Sequence, residues 1–318
     1  MSSLANKKNI SFKTNFILFG IFTALLSGIR IYQLFALTET DKSGFFTHIN
    51  WSVFALYIGV AVFCAVLIML VQLSGKVTAS KSPRGKNKTL AIGAAIFAAG
   101  LAFDVAINIS QIIRSIATFV SGENLLAFLM TNGMLASAIG TVCGLLGVIY
   151  FMIFALSYFD GKSTFGDYKL LALMPLFWAM FRIVRRFMTK ISFTVVADLL
   201  LELIMLIFMM LFFMSFARVA SQVCQKYEMR KVMKYGLAAA MFAIVIGVSR
   251  LAAAFVKPGA LATDFGFNPA DLAFGVFAVI YINACAETGR PASDDELIED
   301  EEEKKKQEEE IDDDFLND

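Results

Sequence analysis

Histidine is almost missing: His48 is the single one in 318 residues. One imidazole makes neither a His-rich metal site nor a bis-His haem site. Cysteine is also scarce. Cys64, Cys143, Cys224 and Cys285 stand far apart with no C-x-x-C pair, which excludes a cysteine metal cluster and a redox dithiol. They read as small apolar thiols, three in helices and Cys224 in a loop. Charged residues make up 17% of the chain, against about 25% in soluble domains. There is no glycine-rich phosphate loop with its lysine, no H-E-x-x-H and no G-x-S-x-G; "SPRGKNK" is a basic loop. No cofactor, metal or nucleic acid is therefore expected, and His48 reads as a loop residue beside Asn50 and Trp51.

What the chain has in abundance is apolar residues. They make up 58% of it, with 32 Phe and 15 Met. One soluble core of this size would not hide them. Several apolar runs are about 20 residues long, enough to cross a hydrocarbon layer of about 30 Å. The fold class expected is all-α: a polytopic integral membrane bundle, with the lipid bilayer as its main partner.

Eight spans are read: 15–37, 50–73, 89–120, 125–159, 168–188, 193–217, 232–256 and 269–286. Short connections arrange them as four helical hairpins, and a seven-span count is the alternative. The domains follow: a cytoplasmic N-terminal segment at 1–14, the bundle at 15–286, and an acidic tail at 287–318. The N-terminus is basic, but the apolar run behind it is long, holds Arg30 and lacks a small-residue cleavage site. It reads as a retained helix. The tail, "SDDELIEDEEEKKKQEEEIDDDFLND" at its core, has no apolar stripe and is expected to be disordered.

Lysine and arginine set the orientation. With the N-terminus inside, the inner segments hold Lys7, Lys8, Lys13, Lys76, Lys81, Arg84, Lys86, Lys88, Lys162, Lys169, Arg218, Lys226, Arg230, Lys231 and Lys234. Outside remain Lys42, Arg114, Lys257 and the cluster Arg185, Arg186, Lys190. Both termini are expected in the cytoplasm of a multi-pass cell-membrane protein, of the bacterial inner-membrane type. The cluster runs against the bias and reads as arginines snorkelling to the interface.

Small residues recur at spacing four: Ala94, Ala98, Ala102 and Ala106; Ala136, Gly140 and Gly144; Ala239, Ala243 and Gly247. In lipid, helices associate through close backbone approach, so these stripes read as packing surfaces.

Charges inside the spans are the main functional signal. Arg30, Asp104, Arg182 and Arg250 each lie ~20–25 Å along a helix from the basic residues that precede them on the cytoplasmic side. Asp198 and Glu202 are one turn apart on the sixth span. These six, three of each sign, are read as the ligand-binding residues, facing one another across the bundle interior. Arg182 and Asp198 stand at equal distances from the turn between spans five and six, so they are expected to pair. The first functional reading is transport or binding of a small anionic or lipid-like ligand in a charged cleft of the outer half. The arginines would contact the anion, and the carboxylates would orient them or carry a proton. The alternative is a non-catalytic membrane scaffold or accessory subunit. Its charges would be structural, and its acidic tail would recruit a basic cytoplasmic partner. An enzyme using Asp198 and Glu202 as paired acids is a third reading.

Overall fold

The computed structural model describes residues 12–39, 44, 46–48, 50–73, 85–117, 133–161, 164–188, 196–221, 228–261 and 265–288. Among them there is no strand, only an isolated antiparallel bridge between Thr38 and Phe46. The helices are α1 (Phe12–Tyr32), α2 (Trp51–Leu73), α3 (Lys88–Ala117), α4 (Met134–Asp160), α5 (Met174–Met188), α6 (Val196–Ala220), α7 (Glu228–Val256) and α8 (Pro269–Thr288). Each falls on one of the spans read from the sequence. Seven are long and apolar enough to cross a membrane. The remaining one, α5, has only 15 residues and carries Arg182, Arg185 and Arg186.

Local chemistry sets several boundaries. The Asn87 side chain accepts a hydrogen bond from the Leu90 N–H at 3.1 Å and so caps α3. Asn268 caps α8 through the Ala270 N–H at 2.9 Å, directly before Pro269. Gly161, at φ 77°, ends α4 in the left-handed conformation that glycine adopts without strain. Past Tyr32, α1 widens into a π-helical turn over Gln33–Leu37 that buries Gln33, Leu34 and Leu37.

Helices α3, α4, α5, α6, α7 and α8 each pack on the next, and α8 returns to α3, closing a ring. The hairpin of α1 and α2 packs on α7 from outside. Helix α7 is thus covered on both sides. It is buried all round from Gly236 to Ala243, as expected of a helix apolar on every face.

The small-residue stripes behave unequally. On α4, a Cβ placed at Gly144 would lie 2.9 Å from Val105 Cγ2 and 3.1 Å from Trp178 Cδ1, and one at Gly140 would lie 3.1 Å from Phe181 Cβ. These glycines admit α3 and α5 to close contact. Ala239, Ala243 and Gly247 are buried as well. On α3 the expectation holds only in part: Ala94 and Ala98 are buried, but Ala102 and Ala106 are exposed. A spacing of four drifts ~40° around a helix per step, so a long stripe leaves the interface it starts in. Gly100 takes over the close contact, where an added Cβ would meet Ala273 Cβ at 2.7 Å.

At the end where α4, α6 and α8 finish, the ring is filled by aromatic side chains. Phe97 stands among Phe151, Trp178, Phe213, Phe274 and Phe277, with centroids 4.7–6.4 Å apart. Phe154, Phe212, Phe216 and Tyr281 extend the cluster. Stacked and edge-to-face pairs of this kind add to simple packing.

Candidate functional site

The opposite end of the interior holds charge, delivered by helices that also carry the aromatic residues. Asp104 lies two turns past Phe97 on α3, and Arg182 one turn past Trp178 on α5. Glu202 precedes Phe212 on α6, and Asp271 precedes Phe274 on α8. Arg250 comes from α7 and Arg30 from α1.

Glu202 is the centre. Its side chain, 2% exposed, meets Arg186 at 2.7 Å, Arg250 at 3.3 Å and Arg182 at 3.7 Å. Arg182 makes a two-point pair with Asp271, at 2.5 and 3.0 Å, the fork-to-carboxylate geometry that guanidinium favours. Arg30 pairs with Asp198 and donates to Gln33 Oε1 at 2.9 Å. Gln33 in turn donates to the Ser52 carbonyl at 2.7 Å, which ties α1 to α2. Asp104 meets no arginine as a direct partner among the described residues. Three neutral donors hold it: Trp178 Nε1 at 3.0 Å, Asn268 Nδ2 at 2.7 Å and Asn108 Nδ2 at 3.1 Å. Arg185 donates to the other side of that amide, Asn108 Oδ1, at 2.6 Å.

Aromatic faces complete the cage. The Arg182 guanidinium lies 5.0 Å from the Trp178 ring, and those of Arg186 and Arg250 lie 4.5 and 5.5 Å from the Phe265 ring. Cations and ring faces attract most strongly when water is excluded.

The six candidate residues fall into separate groups, with partners other than those expected: Arg182 and Arg250 meet at Glu202, Asp104 adjoins them through Trp178, and Arg30 and Asp198 form a pair of their own on the α1 side. Arg182 pairs with Asp271 rather than Asp198, which turns to Arg30. Equal distance from a turn fixes depth alone; the direction around the helix axis decides the partner. Arg182 shares its face with Trp178 and points with it into the ring. Asp198 faces the α1 side. Of the cluster read as snorkelling, Arg186 turns inward instead and binds Glu202 directly, while Arg185 is partly buried and reaches Asn108. A glutamate buried at that depth draws in every guanidinium within reach, because leaving it unpaired costs several kcal/mol. Lys190, Cys224 and nearly all of the acidic tail lie outside the described residues.

Sequence reasoning missed Asp271, because an acid in a first helical turn reads as a favourable partner of the helix dipole. It also missed Asn108, Asn268 and Trp178, neutral groups whose only signal is that Asp104 needs donors. His48 is exposed and shares a 3.1 Å hydrogen bond with the Thr47 hydroxyl.

Chemically, the arrangement is a set of ion pairs engaged with one another. Asp198 and Glu202, the acids that a two-carboxylate reaction would use, are each engaged by arginine. No family model, curated protein or solved structure matches the chain.

Proposed function

We propose that this multi-pass helical protein acts as a non-catalytic scaffold or accessory subunit of a cell membrane, with both termini in the cytoplasm. In this reading its buried charges fix which helices meet. The observation that carries it is closure: Arg30, Arg182, Asp198, Glu202 and Arg250 all end in ion pairs. Beneath them the ring is packed with aromatic side chains instead of polar groups that could pass a charge. The acidic tail recruits a basic cytoplasmic partner, as its charge suits. Transport of an anion through the same residues would require the pairs to part and the rings to move aside.

Paired replacement tests this. The double variant Arg182→Leu with Asp271→Leu removes both charges together, and its melting temperature in detergent should stay near that of the parent. Truncation after Arg290 should lower affinity for a polybasic peptide without changing the melt. The reading fails if purified protein in liposomes carries an anion flux that the double variant loses while keeping its stability.

A further inference from the structure

Outside the bundle interior, charge of opposite sign is gathered in two places that adjoin. Residues 289–318 hold fifteen acidic side chains against four basic ones. They follow α8, which ends at Thr288. The two neighbours of α8 in the ring, α3 and α7, run antiparallel to it and begin at the end where it finishes. Close packing continues almost to that end. A Cβ at Gly93 of α3 would lie 2.9 Å from Ile280 Cδ1, and one at Gly236 of α7 would lie 2.7 Å from Ile282 Cδ1. Helices in such contact stand about 8–10 Å apart.

Both helix starts are basic. Lys86 and Lys88 are exposed where α3 begins, and Lys234 is half-buried in the second turn of α7. Among the described residues these three lysines enter no ion pair. The acid that opens α7, Glu228, is buried and already shared by Arg218 and Lys231, at 3.0 and 2.9 Å. The exposed acids of this end, Asp160 and Asp167, do not pair with the lysines either. The unpaired N–H groups of two helix starts add partial positive charge. Acidic chain leaves α8 between these two starts. Its first acid, Asp294, stands six residues past Thr288, a reach of about 20 Å when extended, which exceeds the spacing to either neighbouring helix.

We propose that the acidic segment 294–314 rests on the chain's own Lys86, Lys88 and Lys234, and that a basic partner binds the tail by displacing these lysines. The contact needs only charge and proximity; the competition rests on the recruiting role proposed above. A short tether holds the two sides at a high effective concentration, which favours this contact over a free partner. Exposed ion pairs fade with salt and add little to stability, so the contact should leave the melt unchanged.

Zero-length carbodiimide cross-linking of the full chain in phosphatidylcholine vesicles reads the contact, with isotope-labelled and unlabelled protein mixed and the links mapped on peptides. Amide links should join acids of 294–314 to Lys86, Lys88 and Lys234 within one chain. They should be lost at about 0.5 M salt, where the screening length falls to roughly 4 Å. Links found only between labelled and unlabelled chains would make the tail a contact between copies and overturn the proposal. Links that vanish in phosphatidylglycerol vesicles would give the lysines to the lipid surface and overturn it too, as would an absence of links. A saturating polylysine peptide should abolish them. If the peptide binds through the tail and the links persist, the competition fails and the recruiting role stands. If truncation after Arg290 leaves peptide affinity unchanged, the recruiting role fails and the contact stands on its links. A second readout is tail cleavage by a glutamate-specific protease. The combined variant Lys86→Gln, Lys88→Gln and Lys234→Gln should be cut several times faster than the parent, and equal rates overturn the proposal.

Discussion

Two ends of one interior are filled with opposite chemistry by largely the same helices. Helix α3 gives Phe97 to one end and Asp104 to the other; α6 gives Phe213 and Glu202; α8 gives Phe277 and Asp271. Trp178 belongs to both. Its ring meets Phe97 edge-on at 6.4 Å, its Nε1 donates to Asp104, and its face carries the Arg182 cation. At the aromatic end, cohesion is divided among many contacts, each worth about 0.5–1.5 kcal/mol. At the charged end it is concentrated in a few groups that need one another. The difference concerns how damage spreads. Loss of a ring leaves its neighbours packed less well, whereas loss of a charge leaves its partners buried and uncompensated.

The largest effect should follow from breaking the centre of the charged end. Glu202→Gln keeps the shape of the side chain but removes the charge that Arg182, Arg186 and Arg250 share. It should cost about 3–5 kcal/mol, the usual penalty for stranding a buried partner. A thermal melt in detergent should show either a fall much larger than for any ring substitution or failure to recover folded protein. A mild loss would mean that water enters the network and the two ends differ less than their chemistry suggests.

The contrast was only half visible in the sequence. Apolar runs of membrane length gave the helices, and the eight segments lie where hydropathy placed them. The glycines of α4 were legible as packing positions because small residues at helical spacing have one common use in a membrane. The charged residues were legible as a group, since an ionisable side chain in an apolar run needs a partner. Their pairing was not. Arg182 has Asp198, Glu202 and Asp271 at similar depths, and the choice depends on how α5 is rotated against α8, which no local pattern encodes. Arg186 looked like an interfacial cation because its partner lies 16 residues away on another helix. Asn108 and Asn268 were invisible for a different reason: an amide in a helix or at its cap has many roles, and only Asp104 gives these two theirs.

A smaller effect should come from the seam between the two ends. Gly144→Ala puts a methyl group 2.9 Å from Val105 and 3.1 Å from Trp178. Overpacking of this kind costs about 1–3 kcal/mol. Because Trp178 holds Asp104, its indole fluorescence should shift along with the melt. An unchanged spectrum would place the strain on Val105 alone. Inside the aromatic end, Phe97→Leu removes a ring that stands among five others, yet it keeps an apolar side chain in place. It should cost about 1–2 kcal/mol, with a lower melt and no loss of cooperativity. A cost equal to that of Glu202→Gln would show that the rings are as obligate as the charges, and the comparison would fail at that end.

The smallest expected effect is the coupling between Arg182 and Asp198, and set beside that between Arg182 and Asp271 it tests the correction to the sequence reading. Alanine cycles on thermal stability compare Arg182 with Asp271 and Arg182 with Asp198. The first pair meets at two points, so removing the second partner after the first should cost little, and the coupling should be about 1.5–3 kcal/mol. The second pair makes no direct contact: Asp198 belongs to Arg30 and Arg182 to Asp271 and Glu202. Their effects should therefore add to within about 0.5 kcal/mol. Field effects through Glu202 act on both residues and set the floor of the measurement, so the cycle is best run at two salt concentrations. Surface charge effects fade with salt, while a buried contact persists. A strong, salt-resistant coupling between Arg182 and Asp198 would restore the hairpin pairing and require α5 to be rotated away from α8. Near-additivity there, with strong coupling to Asp271, would show that the charged end is held by specific partners rather than by a pool of opposite charges at similar depth.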